Sequence, residues 1–345
     1  MRAALCLLLV AGPAQAFHPV LPTANDALFR GQPEIFSMFT DRDFEGRKTY
    51  PWQGGTYGFS RNPERIGGEI LETKFHEGID IAALRRDEAG EPLDDVRAVE
   101  SGRVVHVSRA ERDSNYGHYV VLQHGVEGAP VYTIYAHMNA VDVADGQSVA
   151  KGARLGTLGH TGEGIDRRRA HVHLEIALMW HDQFETWHAA NFPTPNKHGV
   201  YNGINMMGLD VAGFYLAQRK DPELSLPQFI RRQKPFFRVQ IPESPRFQLP
   251  RRYPWLADDS AQNTASWIVS FTAAGFPVSI EPSAESVPAP RVVWAAPSPF
   301  AYGKVTRSLL AGRSGNPVLG ESGKKLMTLL AWDPSAAPSP AAGGP

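Results

Sequence analysis

Between Glu69 and Met179 apolar and polar residues alternate in short runs broken by glycine: GRVVHVS, HYVVLQHG, VYTIYAHM, ARLGTLG and HVHLEIAL. β-Branched and aromatic residues dominate these runs, and a period of two sends successive side chains to opposite faces. Close-spaced strands with turn signals and no helical runs between them predict an antiparallel sheet closed into a barrel-sandwich hybrid, so the fold class is mainly β. This β domain is set at residues 58–185. The stretch before it, 17–57, is punctuated by Gly and Pro and reads as an irregular arm. After it, in 186–255, prolines recur too often for a regular helix or a central strand, which predicts an irregular segment packed over the β domain. From 256 to 333, strand-like runs (SWIVSF, FPVSIE, RVVWAA) and helical ones (AYGKVTRSLLAG, GKKLMTLLAW) predict a smaller α+β unit. The last residues, 334–345, have almost nothing to bury and read as a disordered tail.

Composition changes this picture at the N-terminus. Arg2, the apolar run Ala3 to Val10, and a small-x-small signal ending at Ala16 read as a secretory signal peptide over residues 1–16. Cys6, the one cysteine of the 345 residues, lies inside it, so the exported chain carries no thiol. Export without disulfides suits a bacterial periplasm or exterior. No later segment reaches the roughly eighteen consecutive apolar residues of a membrane span. Charge adds little: 35 Lys and Arg against 36 Asp and Glu give no global reason to expect nucleic acid or an anionic membrane as partner. Locally, residues 229–255 hold seven basic residues against one acidic, interleaved with aromatics. Frequent prolines and the absence of a nucleic-acid fold signature favour packing over binding there. Nothing in the sequence speaks to oligomeric state.

The candidate chemistry lies in the histidines, all twelve of which fall between His18 and His198. In the run HVHLEIAL, strand alternation puts His171, His173 and Glu175 on one face and Val172, Leu174 and Ile176 on the other. Two imidazoles on one face of an anchored strand make half of a zinc site, although a wetted polar face has the same pattern. Upstream, KFHEGIDIAA separates His76 from Asp80 by three residues, with Gly78 free to bend the backbone so that imidazole and carboxylate meet. Such a nitrogen and oxygen pair suits Zn²⁺, and an ordinary surface loop has the same residues. His137 ends the run YTIYAHM, where a core histidine with one hydrogen bond is the plainer reading. Alternation places Tyr135 on the same face as His137.

These pieces occur in one order within one β region, and from about Gly58 to Ile176 the chain resembles the lysostaphin/LytM-type zinc metallopeptidases. The resemblance rests on His-x-x-x-Asp (His76, Asp80), Tyr-x-His (Tyr135, His137) and His-x-His (His171, His173), with VRAVESGRVVHVS, NYGHYVVLQHG and VADGQSVAKGARLGTLGHTG between them. It implies one Zn²⁺ held by His76, Asp80 and His173, a fourth position left open, and His137 with His171 as the catalytic pair beside it. It also implies a zinc metalloendopeptidase whose substrate is the peptide of bacterial peptidoglycan. The chain departs from the family twice. The loop LRRDEAGEPLDD is longer and more charged, with Leu84 where a proline is common, and the approach to His171 is longer and carries Arg167, Arg168 and Arg169. Both departures bear on the substrate cleft. Two other classes compete: a non-catalytic relative that binds cell wall or activates another hydrolase, and a lipoyl-type carrier suggested by GQSVAKGARLG. The surroundings of Lys151 are wrong for the carrier.

Overall fold

Four apolar side chains, Val172, Leu174, Ile176 and Leu178, fix the strand on which the molecule is organised. They enter the main core together with Ile79, Ile81, Val120, Leu122 and Tyr135. At roughly 1.5–3 kcal/mol for each apolar side chain taken out of water, this face sets the register. A slip of one residue would carry both imidazoles of His-x-His into the core. The opposite face is not wetted either. Ala177 joins a second apolar cluster with Tyr119, Val121, Ile134 and Ala136, so His171–Met179 is buried from end to end.

The computed structural model describes residues 17–40, 43–48, 52–258 and 264–332. The segment 1–16, read above as a signal peptide, and the tail 334–345, read as disordered, lie outside the described residues. The architecture is mainly antiparallel β, as the alternation predicts. The principal sheet runs Ser148–Val149, Gly102–Ser108, His118–Val126, Ala129–Met138, His171–Met179 and Met206–Gly208. The strand Ile79–Ala82 pairs with the first half of His171–Met179, on the edge that Met206–Gly208 occupies further along. A three-stranded sheet of Ala140–Val141, Arg154–Thr157 and Asp95–Arg97 contributes Leu155 and Val96 to the same core. The hairpin Gly58–Ile66 with Glu69–His76 stands apart from both sheets and ends at His76.

The arm is irregular, and it is tied down. Phe17, Ala27 and Phe36 are buried in the core, the Asn25 amide donates to the Ala82 carbonyl, and the Met38 N–H donates to the Asp80 carbonyl at 2.9 Å. This last bond lays the arm alongside Ile79–Ala82.

The stretch 186–255, expected to be irregular, holds the helices Val211–Lys220 and Leu226–Arg231 and the strand Phe237–Pro242. Its prolines fall between elements or near their ends and interrupt none. Pro227 sits in the first turn of its helix behind a Ser225/Gln228 capping box, where its missing N–H costs nothing, and Pro242 closes its strand. That strand is interior to a four-stranded sheet, between Ser266–Phe271 and Arg291–Ala295, with Pro277–Ser283 at the far edge. The small C-terminal unit therefore draws a strand from upstream of residue 256. Phe229, Phe237, Phe247 and Tyr253 of the basic, aromatic stretch are buried. The helix expected near AYGKVTRSLLAG shrinks to Tyr302–Val305, because Arg307 and Ser308 adopt positive φ and turn the chain into a short strand, Leu310–Ala311. The other expected helix is present as Glu321–Leu330. Its Thr328 hydroxyl accepts from the Trp187 indole at 3.0 Å, which joins the unit to the helix Phe184–Asn191 that leaves the β domain. Among the described residues no helix is long and apolar enough to cross a membrane.

Candidate metal centre and its groove

Three segments deliver the cluster. His76 is the last residue of the hairpin, Asp80 lies in the strand that follows, and His173 stands directly across from Asp80 in the register of the sheet. Each side chain has one polar atom tied away from the cluster. His76 Nδ1–H donates to the Thr56 carbonyl at 2.9 Å, Asp80 Oδ2 accepts from Arg61, and His173 Nε2–H donates to Glu175 Oε1 at 2.9 Å. The remaining atoms converge. His76 Nε2 is 3.0 Å from Asp80 Oδ1 and 3.0 Å from His173 Nδ1, and His173 Nδ1 is 2.8 Å from Asp80 Oδ1. All three residues are buried. Zinc bonds of about 2.0–2.1 Å in a tetrahedron call for ligand atoms roughly 3.3 Å apart, so this triangle of two nitrogens and one oxygen fits a zinc ion after opening by a few tenths of an ångström.

Gly78 has a different role from the one its sequence position suggests. Its φ is not in the left-handed region, and the constraint is space: a Cβ there would lie 2.4 Å from the Leu174 carbonyl oxygen and 3.0 Å from His173 Cε1. Gly78→Ala is expected to lower stability by roughly 1–3 kcal/mol, as overpacking does, read as a drop in Tm. Because the crowded neighbours include His173 and Glu175, whose carboxylate holds the His173 ring, metal affinity should fall in the same variant.

Electrostatics match the donor set. Burial works to raise the Asp80 pKa, but His76, His171 and Arg61 outweigh it and hold the carboxyl well below its ordinary range. Burial works to lower that of His173, yet the hydrogen bonds to Asp80 and Glu175 prevail and hold it up at about 9. Two carboxylates thus surround one imidazole, supplying the negative charge that suits a divalent cation.

His137 and His171 face each other beside this cluster with ring centroids 4.7 Å apart. His171 Nδ1 bonds the Arg169 carbonyl at 2.7 Å and His137 Nδ1 the Thr161 carbonyl at 2.9 Å. A carbonyl only accepts, so in both neutral rings the proton is on Nδ1 and Nε2 carries a lone pair. His171 Nε2 is 3.5 Å from Asp80 Oδ1. Burial pushes the His171 pKa down to about 4 and takes that of His137 well below its ordinary value, the latter helped by the neighbouring His171 and His173. Regular alternation would have sent His137 into the core with Tyr135. The structure corrects that expectation: His137 has φ 63°, which turns its ring onto the face of His173, while Tyr135 is fully buried and accepts from the Val99 N–H. A left-handed histidine is strain of the kind held at functional sites.

Sequence reasoning missed Arg61 and Tyr116. Arg61 bridges the Gly54 carbonyl and Asp80 Oδ2, leaving Oδ1 to the cluster, and the Tyr116 hydroxyl donates to Glu175 Oε1 at 2.6 Å. Both reach their partners across long chain separations, so no local signal marks them. Glu175, which alternation puts on the His-x-His face, accepts from His173 Nε2–H and so orients that ring. The remaining histidines stand outside the cluster. His124, for example, is a core residue bonded to the Ser101 carbonyl and the Thr133 hydroxyl, its pKa pushed down to about 4 by burial.

The cluster opens into a groove of about 770 Å³ whose far wall belongs to the C-terminal unit, through Phe276, Leu309 and Leu326. That unit also grips the hairpin next to His76: Arg307 pairs with Glu77 and lies 4.8 Å over the Phe75 ring.

The site thus joins, in one antiparallel β domain, a buried His-Asp-His triangle that could hold a metal ion, two further imidazoles beside it and a groove in front. Residues 74–184 match the family model for Peptidase family M23, in agreement with the resemblance to LytM-type peptidases. Solved structures similar to it include the catalytic domain of the antimicrobial peptidase lysostaphin from Staphylococcus simulans (22% identity, 38% of this chain and 86% of that one, TM-score 0.25). The catalytic domain of the prophage-encoded M23 protein EnpA from Enterococcus faecalis is similar at 22% identity, over 40% of this chain and 85% of that one, TM-score 0.25. A zinc-containing peptidase from Vibrio cholerae is similar at 22% identity, over 41% of this chain and 37% of that one, TM-score 0.26. No curated protein sequence matches the chain.

Proposed function

We propose that this chain is a zinc metalloendopeptidase that hydrolyses peptide crosslinks of bacterial peptidoglycan outside the cytoplasm. The observation that carries the reading is the convergence of His76 Nε2, Asp80 Oδ1 and His173 Nδ1 within about 3 Å of one another, each with its other polar atom tied away. The family M23 match over residues 74–184 supports peptidase chemistry, and the leader read in residues 1–16 supports export.

His76, Asp80 and His173 would hold the zinc, which supplies Lewis-acid polarisation of a carbonyl and activation of water when bound. The rest falls to the chain's own groups. Buried and neutral, His137 and His171 present Nε2 lone pairs toward the groove, where either can take a proton and the other, once protonated, can donate one to a developing oxyanion or leaving amine. The Arg169 and Thr161 carbonyls hold the two rings in the tautomer this needs. Arg61 and Glu175 fix the orientation of Asp80 and His173.

The test is metal content and digestion. Purified protein is expected to contain one zinc per chain by atomic spectroscopy and to release peptide fragments from purified peptidoglycan, identified by mass spectrometry. Chelation should abolish release, and added Zn²⁺ should restore it. Protein that is metal-free as isolated, takes up no zinc and releases nothing would overturn the reading and favour the non-catalytic alternative.

A further inference from the structure

The arginine run before the His-x-His strand divides into two residues laid on neighbouring segments and one that lines the groove. Arg167 donates to the Ala89 carbonyl at 2.6 Å and lies 3.5 Å from Glu91, which ties the run to the long charged loop. Arg168 places its guanidinium over the Phe39 ring of the arm at 5.5 Å. Arg169 turns inward and lines the groove with His171, Asp80 and His173. Its Nη1 donates to the Gly164 carbonyl at 3.1 Å, its Nη2 meets the Met38 thioether at 3.9 Å, and its Nε is buried without a partner. Among the described residues no carboxylate forms an ion pair with it. Glu163 lines the same groove, exposed and unpaired with Arg169.

A half-buried guanidinium that faces a groove with only a carbonyl and a thioether for partners has an unanswered charge. Its Nε and Nη2 form one edge of the planar fork, the edge that binds a carboxylate through two parallel hydrogen bonds. The one group now at that edge is a methionine side chain, unbranched and able to move aside. The Arg169 carbonyl also anchors His171, so anything bound by the guanidinium lies close to that ring.

We propose that Arg169 receives a carboxylate of the peptide substrate, close to the bond that is cut, with Met38 yielding its place on the guanidinium. The proposal rests on the peptidase reading and deepens it: the groove selects peptides with a free acid over the same peptides carrying an amide.

The test uses the full exported chain loaded with zinc and two synthetic stem-type peptides that differ only in one side-chain carboxylate or carboxamide. The acid peptide is expected to have a KM lower by about tenfold or more, the range of a charge-assisted hydrogen-bonded pair. Arg169→Gln should raise KM for the acid peptide alone and erase the difference, Arg169→Lys should recover part of it, and Arg167→Gln should leave both values unchanged. Calorimetry on the His171→Ala chain with the same two peptides reads binding without turnover. If the wild-type protein cleaves neither peptide, the peptidase reading fails and calorimetry still reads the carboxylate preference. Equal affinity for the two peptides, or an equal rise in KM for both in Arg169→Gln, would overturn the assignment.

Discussion

His173→Ala is expected to remove the bound metal and to reduce peptide hydrolysis to background. His173 is the one member of the triangle that touches both carboxylates of the site, at 2.8 Å to Asp80 and 2.9 Å to Glu175. Losing it takes away a donor atom and leaves two buried carboxylates facing each other without the imidazole between them. Breaking a buried charged pair from one side costs roughly 3–5 kcal/mol, so this variant should also unfold at a lower temperature. Stability and function must therefore be measured separately. Glu175→Gln separates them: it keeps the volume and an oxygen that accepts from His173 Nε2–H, and it removes one negative charge from behind the ring. Loss of such an orienting partner weakens metal affinity about 10–100-fold. Titration against a competing chelator should then rank wild type above Glu175→Gln and that variant above His173→Ala. A His173→Ala protein that still held one tightly bound zinc and still cleaved peptide would show that the ligand set is wrong.

What could be read ahead of the structure follows from how far apart the interacting residues lie in the chain. The alternation in HVHLEIAL is local, so it revealed the strand, its core face and the shared face of His171 and His173. The spacing of His76 and Asp80 is nearly local, and a single strand pairing brings Asp80 opposite His173. Arg61 reaches Asp80 across 19 residues, and Tyr116 reaches Glu175 across 59. Nothing near either residue announces its partner. His137 misled because period-two reasoning assumes extended backbone, and one left-handed residue reverses the face. Pro227 misled because proline breaks a helix interior but starts a helix well, and the difference is one of position, not composition. The groove's far wall was out of reach for a further reason. It depends on how the C-terminal unit docks, through contacts such as Arg307 with Glu77, 230 residues apart.

His171→Ala is expected to keep its zinc and lose most of its rate. The ring is not part of the triangle, since its Nε2 is 3.5 Å from Asp80 Oδ1 whereas the three cluster atoms lie within 3.0 Å of one another. Removing a positioned general acid or base costs about 10²–10⁴-fold in rate, so kcat should fall by that much while metal content stays at one per chain and KM changes little. The matching variant at the other ring is His137→Asn, because asparagine tolerates the left-handed backbone that His137 adopts at φ 63°. A fall in kcat there then reports the missing imidazole and not a rebuilt loop. If the two rings pass one proton in a single step, the double variant should be hardly slower than the slower single one, since groups that act as a unit are not additive. Multiplicative losses would instead assign them to separate steps, one histidine serving the attack of water and the other the departure of the amine. Full activity in His171→Ala would remove it from the catalytic pair and leave His137 to act alone.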